Sequence, residues 1–132
     1  ANHFKNVATL LNEKFNKKND KKKILDLGSN DGTFLKQFNI LGWNTLGIES
    51  SYEISKIANK NGIKTLNKFF NHKVAEEINQ KFDFINASGV FFHLEELHSF
   101  TRGVKKLLSK DGIFIVQFLY MKQIRIKRSP SP

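Results

Sequence analysis

Apolar positions along the chain change period at regular intervals. Phe4, Val7, Ala8, Leu11 and Phe15 recur every three to four residues, the signature of an amphipathic helix, and the run ends in a lysine-rich loop at 17–23. This helix is expected on the edge of a sheet or over a ligand cleft. An apolar stretch at 24–27 then reads as a buried strand. A helix at about 31–41 follows, with Phe34, Leu35, Phe38 and Leu41 on one face. The alternation continues with a strand at 44–49 and a helix at 52–61, capped by Ser50 or Ser51 and closed by Gly62. A short strand at 63–66, a helix at 71–80 and a strand at 82–87 come next. A helix at 94–109 is expected to end at an Asp111-Gly112 turn, before an almost wholly apolar strand at 113–119.

Five strands alternating with helices predict an α/β fold: a doubly wound, mostly parallel sheet with helices on both faces. The apolar fifth strand reads as covered on both faces, while little chain follows to protect its outer edge. That exposed edge favours a homodimer formed by strand pairing. The segment Gln123-Ile124-Arg125-Ile126-Lys127 alternates apolar and basic side chains, so it reads either as a sixth, edge strand or as a disordered tail. Ser129-Pro130-Ser131-Pro132 is expected to be disordered. The organisation is thus a single core at 1–121 and a basic tail at 122–132.

Length and composition narrow the functional classes. A chain of 132 residues forms one domain, shorter than a complete doubly wound sheet with a substrate lid, so a core without its attachments is expected. The absence of cysteine excludes disulfides and thiolate zinc sites, and the four histidines lack metal-ligand spacing, so no metal is expected. With no long apolar run and no basic-then-apolar start, the reading is a soluble, cytoplasmic protein with no membrane partner. The net charge of +10 is concentrated at two places: +4 at 17–23 and +4 at 122–128. Such basic ends read as solvated segments rather than a nucleic-acid face, which would interleave exposed aromatics.

Chemistry concentrates where the strands end. After the first strand comes Gly28-Ser29-Asn30-Asp31-Gly32, and Glu49 ends the second strand 21 residues after Gly28. Glycines permit a tight turn and the following helix presents backbone N–H groups, while an acidic side chain about 20 residues on can accept hydrogen bonds from ribose hydroxyls. Dinucleotide sites need bare backbone next to a pyrophosphate; the acidic turn here suits a cationic, phosphate-free cofactor, S-adenosylmethionine, ahead of NAD or of a cofactor-free domain. Its ammonium would use the Gly28 and Ala87 carbonyls and its ribose Glu49. Adenine would lie near Ser50 and Phe69, with Asn67 at its edge, and Ser88 completes the mouth of the fourth strand. Asp26, in a buried strand, is expected to order the loop or contact the cofactor, because an unpaired buried carboxylate is costly. Asp31 reads equally as a helix cap or a ligand contact. His93 reads equally as structural or substrate-side, Phe69 and Phe70 more as core than as a stacking platform, and His72 and His98 as surface residues.

These residues make the chain resemble the class I, Rossmann-like methyltransferases, and more narrowly the C-methyltransferases of nucleotide-linked keto sugars. The similarity runs over about 3–121, through LGSNDGTFLKQF (27–38), the stretch from Leu46 to the paired Phe69-Phe70, Val90 to His93 with an acidic helix start, and DGIFIVQFLYM (111–121). The resemblance implies transfer of a methyl group from S-adenosylmethionine to a carbon beside a ketone, on a small-molecule acceptor. In that family an N-terminal zinc module precedes the core and a C-terminal domain supplies much of the acceptor machinery; this chain corresponds to the core without them. Gly89 stands where the family often has asparagine, and Gln117 where it often has glutamate. Two further readings stay open: a non-catalytic cofactor-binding fragment, and a nucleic-acid methyltransferase using the basic ends.

Overall fold

The computed structural model describes residues 2–15, 22–88 and 94–117. Among these residues ten elements follow one another: α1 (Asn2–Phe15), β1 (Lys23–Leu27), α2 (Thr33–Ile40), β2 (Asn44–Ile48), α3 (Tyr52–Lys60), β3 (Thr65–Leu66), α4 (His72–Ile78), β4 (Phe82–Ser88), α5 (Leu94–Leu107) and β5 (Leu108–Gln117). His93, the Val90 to His93 segment, Gly89 and the expected tail strand lie outside the described residues.

The strands form one parallel sheet in the order β3-β2-β1-β4-β5. The chain steps outward from β1 to β2 and β3, then returns across the sheet to β4. Strand order therefore reverses between β1 and β4, and their carboxyl ends flank a crevice, the place where open α/β sheets bind ligands. Side chains alternate across each strand, so the two faces have separate cores. Leu25, Leu27, Ile85 and Ala87 pack against Ala75 of α4 and against Phe100, Val104 and Leu107 of α5. Ile24 and Phe84 face the opposite way, onto Ala8 and Leu11 of α1 and Phe34, Leu35 and Phe38 of α2. Each of the leucine, isoleucine, valine and phenylalanine side chains among them contributes about 1.5–3 kcal/mol on burial.

α1 lies on a face of the sheet rather than along its edge. Phe4 meets Phe34 edge-on with ring centroids 5.1 Å apart, and the Trp43 indole N–H donates to Asn12 Oδ1 at 2.9 Å. Ser51, not Ser50, caps α3, accepting from the Ile54 N–H. β3 is two residues shorter than the expected strand because the Ile63 N–H closes α3 on the Ala58 carbonyl instead of joining the ladder. The Asn59 side chain then pins β3, accepting the Thr65 N–H and donating to the Thr65 carbonyl, both at 2.9 Å.

The helix expected at 94–109 ends at Leu107, and β5 starts at Leu108, five residues before its expected start. Phe82 pairs with Leu108 and Phe84 with Ile113, so β5 loops out 109–112 between them. The expected Asp111-Gly112 turn is this bulge. It folds tightly enough that a Cβ on Gly112 would lie 2.7 Å from Leu108 Cδ1. Among the described residues, no helix is long and apolar enough to cross a membrane.

Candidate functional site

The turn after β1 is held by the end of β2. Gly28, at φ 81°, and Ser29 both donate their N–H groups to the Ile48 carbonyl, at 2.8 and 3.0 Å. Asn30 adopts the left-handed conformation at φ 57°, uncommon for a residue with a Cβ, and its N–H is fixed by Glu49 Oε1 at 2.8 Å. Gly32, at φ 88°, sits at the N-cap of α2. A Cβ there would touch Ile63 at 3.0 Å, so both conformation and space favour glycine. Asp31 Oδ1 accepts from the Thr33 hydroxyl at 2.7 Å and from the Thr33 N–H at 3.0 Å. The hydroxyl first, and the N–H with it, hold the Asp31 carboxyl below the usual range. Asp31 thus stands one residue before the N-cap Gly32 and is tied through one of its carboxylate oxygens to Thr33, the first residue of α2.

Glu49 joins two loops. Its Oε1 accepts from Asn30 and its Oε2 from the Ser51 N–H at 2.9 Å, so one carboxylate fixes both the turn after β1 and the entry to α3. Asn67, after β3, donates its side-chain amide to the Glu49 and Ser50 carbonyls, each at 3.0 Å. It therefore shapes the loop that carries Glu49 and exposed Ser50. Of the two neighbouring phenylalanines, Phe69 is 78% exposed beside this loop, whereas Phe70 packs edge-on against Phe100. The pair divides: Phe70 is partly buried against the core, whereas Phe69 presents its ring to solvent.

Deeper in the sheet lies a polar strip that follows from side-chain alternation. Asp26 and Asn86 are register partners on β1 and β4, 3% and 1% exposed, and both fall on the α1 and α2 face. Asn86 Nδ2 donates to Asp26 Oδ1 at 2.8 Å and to the Oγ of half-buried Ser88 at 3.0 Å. Burial pushes the Asp26 carboxyl up to about 7, against the opposing pull of the Asn86 hydrogen bond; the nearby Glu49 charge raises it further. Ala87, the other residue expected at the end of β4, is fully buried in the ladder.

Ser29 does not turn its side chain to the crevice. It is buried, and its hydroxyl lies 2.4 Å from where a Cβ on Gly47 would stand. No partner for that hydroxyl is found among the described residues. Ser29 thus lines the underside of the turn, and its backbone alone is available above it. Sequence reasoning missed both Gly47 and Asn86. A glycine inside a strand and an amide inside an apolar strand were the available signals. His98 is exposed as expected, but His72 is half-buried at the start of α4, its N–H donating to Ser99 Oγ. Among the described residues, no cluster of histidine and acidic side chains could hold a metal ion.

Charge decides what the crevice accepts. The segments 24–35 and 44–55 contain no lysine or arginine although the whole chain carries +10, while Asp26, Asp31 and Glu49 all stand at or just below the strand ends. Such a site disfavours pyrophosphate and favours a ligand with cationic groups and hydroxyl donors.

Comparison with known proteins identifies the fold and the family. A family described as a methyltransferase domain matches residues 1–124. The C-methyltransferase NovU of Streptomyces niveus is 28% identical over 104 residues, covering 76% of this chain and 25% of that protein. The release factor glutamine methyltransferase of Buchnera aphidicola subsp. Schizaphis graminum is 31% identical over 110 residues, covering 75% of this chain and 40% of that protein. The chain therefore spans well under half the length of either relative. Among solved structures, PH0226 from Pyrococcus horikoshii OT3 superimposes with a TM-score of 0.71 at 20% identity, covering 97% of this chain and 59% of that one. The plantazolicin methyltransferase BpumL, in complex with SAH, gives a TM-score of 0.69 at 21% identity over 98% of this chain and 51% of that one.

Proposed function

Because this chain belongs to the methyltransferase domain family, we propose that its crevice binds S-adenosylmethionine and presents the methyl group to a small-molecule acceptor, a nucleotide-linked keto sugar. The observation that carries the reading is Glu49 at the tip of β2. Each carboxylate oxygen has two lone pairs, and each uses one on a backbone N–H, so a second stays available to a ribose hydroxyl. The exposed groups around the crevice fit the cofactor. The Gly28 carbonyl suits its ammonium, and the first turn of α2 offers N–H groups to its carboxylate. Asn67 has committed its amide hydrogens to the loop, so its Oδ1 is the atom left to accept from the adenine amino group. Phe69 supplies an exposed ring for stacking, and Ser50 the opposite wall.

When bound, the cofactor supplies an electrophilic methyl carbon. The residues of this chain orient it and surround its positive charge with Asp26, Asp31 and Glu49. Carbon as the receiving atom is supported by the relative named as a C-methyltransferase. The end of β4 reads Asn86-Ala87-Ser88, without the prolines expected of an amino-group methylating strand end. Proton removal beside a ketone needs a base, and no described residue is assigned that role. The test is titration of a nucleotide-linked keto sugar into the chain saturated with S-adenosylhomocysteine. Saturable binding that requires the adenosyl compound is expected; failure of the sugar to bind the saturated chain would remove the acceptor assignment and leave the cofactor site standing.

A further inference from the structure

We propose that Asn86 is a positioning residue that makes the crevice select a cationic adenosyl ligand, by holding the Asp26 carboxyl beneath the point where strand order reverses. The inference rests on the cofactor reading above and adds a specificity determinant to it.

Three observations support it. First, the orientation of the Asn86 amide is fixed from both sides: its two hydrogens go to Asp26 Oδ1 and Ser88 Oγ, so the amide nitrogen rather than the oxygen meets the carboxyl. Second, Asp26 lies two residues below Gly28 on the central strand, flanked by Gly47 of β2 and Asn86 of β4. A charge buried there acts through low dielectric on whatever sits above the turn. Third, the strip continues to Ser88 at the mouth of β4. Because Ser88 Oγ accepts from Asn86, its own O–H is left for another acceptor.

The charged groups around Asp26 leave one dominant neighbour, Glu49 at the end of β2, whose charge opposes ionisation of Asp26. The other described charges on the packed elements are remote or exposed: Asp31 on the turn, Lys36 on α2, and His3, Lys5, Glu13 and Lys14 on α1 are exposed, and Asp83 stands near the opposite end of β4, accepting the Lys23 N–H. In the free protein Asp26 holds its proton up to about pH 7. A ligand bearing sulfonium and ammonium groups favours the ionised carboxylate, so binding expels that proton. Affinity for such a ligand falls as pH is lowered, whereas affinity for a neutral adenosyl compound does not. Removing the Asn86 donor removes the hydrogen bond that favours the carboxylate, and the whole profile moves to higher pH.

The experiment measures dissociation constants of S-adenosylmethionine and of neutral methylthioadenosine for the wild-type chain and Asn86→Val, between about pH 5 and 6.7, about a unit or more below the range where the ligand amine itself titrates. For the wild type, S-adenosylmethionine is expected to lose affinity by about tenfold per pH unit on the acidic side, while methylthioadenosine stays level. Asn86→Val is expected to show the same curve displaced upward in pH, with methylthioadenosine affinity changed little. A variant that merely loses packing would weaken both ligands equally at every pH, and that result would overturn the proposal. So would a flat wild-type profile with tight S-adenosylmethionine binding, which would leave the cofactor reading intact. No binding at any pH would overturn that reading and this inference with it.

Discussion

Asp26→Asn is expected to stabilise the ligand-free fold at pH 8 while weakening S-adenosylmethionine binding at least about tenfold, the effect of losing one charge-assisted interaction. Burial raises the Asp26 carboxyl from 3.8 to about 7 in the folded protein. Between those values the folded state binds more protons than the unfolded one, so stability falls as pH rises through that window and the penalty is complete above it. Three pH units correspond to at most about 4 kcal/mol. A neutral amide of nearly the same shape escapes that penalty, and a Tm higher by about 5–15 °C at pH 8 follows. Near pH 4 the wild-type carboxyl is protonated and the difference should shrink towards nothing. Thermal unfolding of both proteins at the two pH values checks this; a variant less stable than wild type at pH 8 would mean that the ionised carboxylate supports the fold. The position then exchanges stability for a charge placed under the crevice, as functional sites commonly do.

Gly47→Ala carries the second large effect. The added methyl would stand 2.4 Å from Ser29 Oγ, 2.8 Å from Ser29 Cβ and 3.2 Å from Leu35 Cδ1, and Gly47 lies in the interior of β2, paired on both sides. Overpacking of this kind costs about 1–3 kcal/mol. Ser29 is the residue that must yield, and its N–H is one of the two that fasten the turn to the Ile48 carbonyl. Cofactor affinity should therefore fall together with stability. Adding Ser29→Gly to Gly47→Ala should restore much of both, because it removes the hydroxyl and the Cβ that clash. Additive losses in that double-mutant cycle would show that the two positions do not communicate.

The parts of the site set by local spacing could be read from the sequence. The apolar run ending at Leu27, the glycines at 28 and 32, and Glu49 at the end of the next run all report where a strand stops, and strand ends are where the crevice lies. Asn86 was less legible. Its meaning depends on the β1 to β4 register, which links residues 60 positions apart and which no local pattern encodes. A polar residue inside a buried strand is informative at Asp26, and the same logic applied at Asn86 finds the pair. Gly47 was hidden because its constraint comes from Ser29 across the turn rather than from its own conformation. The α5 to β5 boundary is not legible locally, because Asp111-Gly112 signals a change of direction without saying whether it ends a helix or interrupts a strand; the pairing of Leu108 with Phe82 decides it. Phe69 and Phe70 look alike in sequence, and only the packing of α5 against Phe70 separates them.

The most direct measurement is calorimetric titration of the purified chain and of Glu49→Ala with S-adenosylmethionine, S-adenosylhomocysteine and NAD at pH 7.5. The adenosyl compounds should bind the wild type with a dissociation constant of about micromolar magnitude, NAD should not bind, and Glu49→Ala should weaken binding by about 1–3 kcal/mol through lost ribose contacts and a loosened turn. Binding of NAD in preference to the adenosyl compounds, or equal affinity of the folded Glu49→Ala variant, would contradict the account.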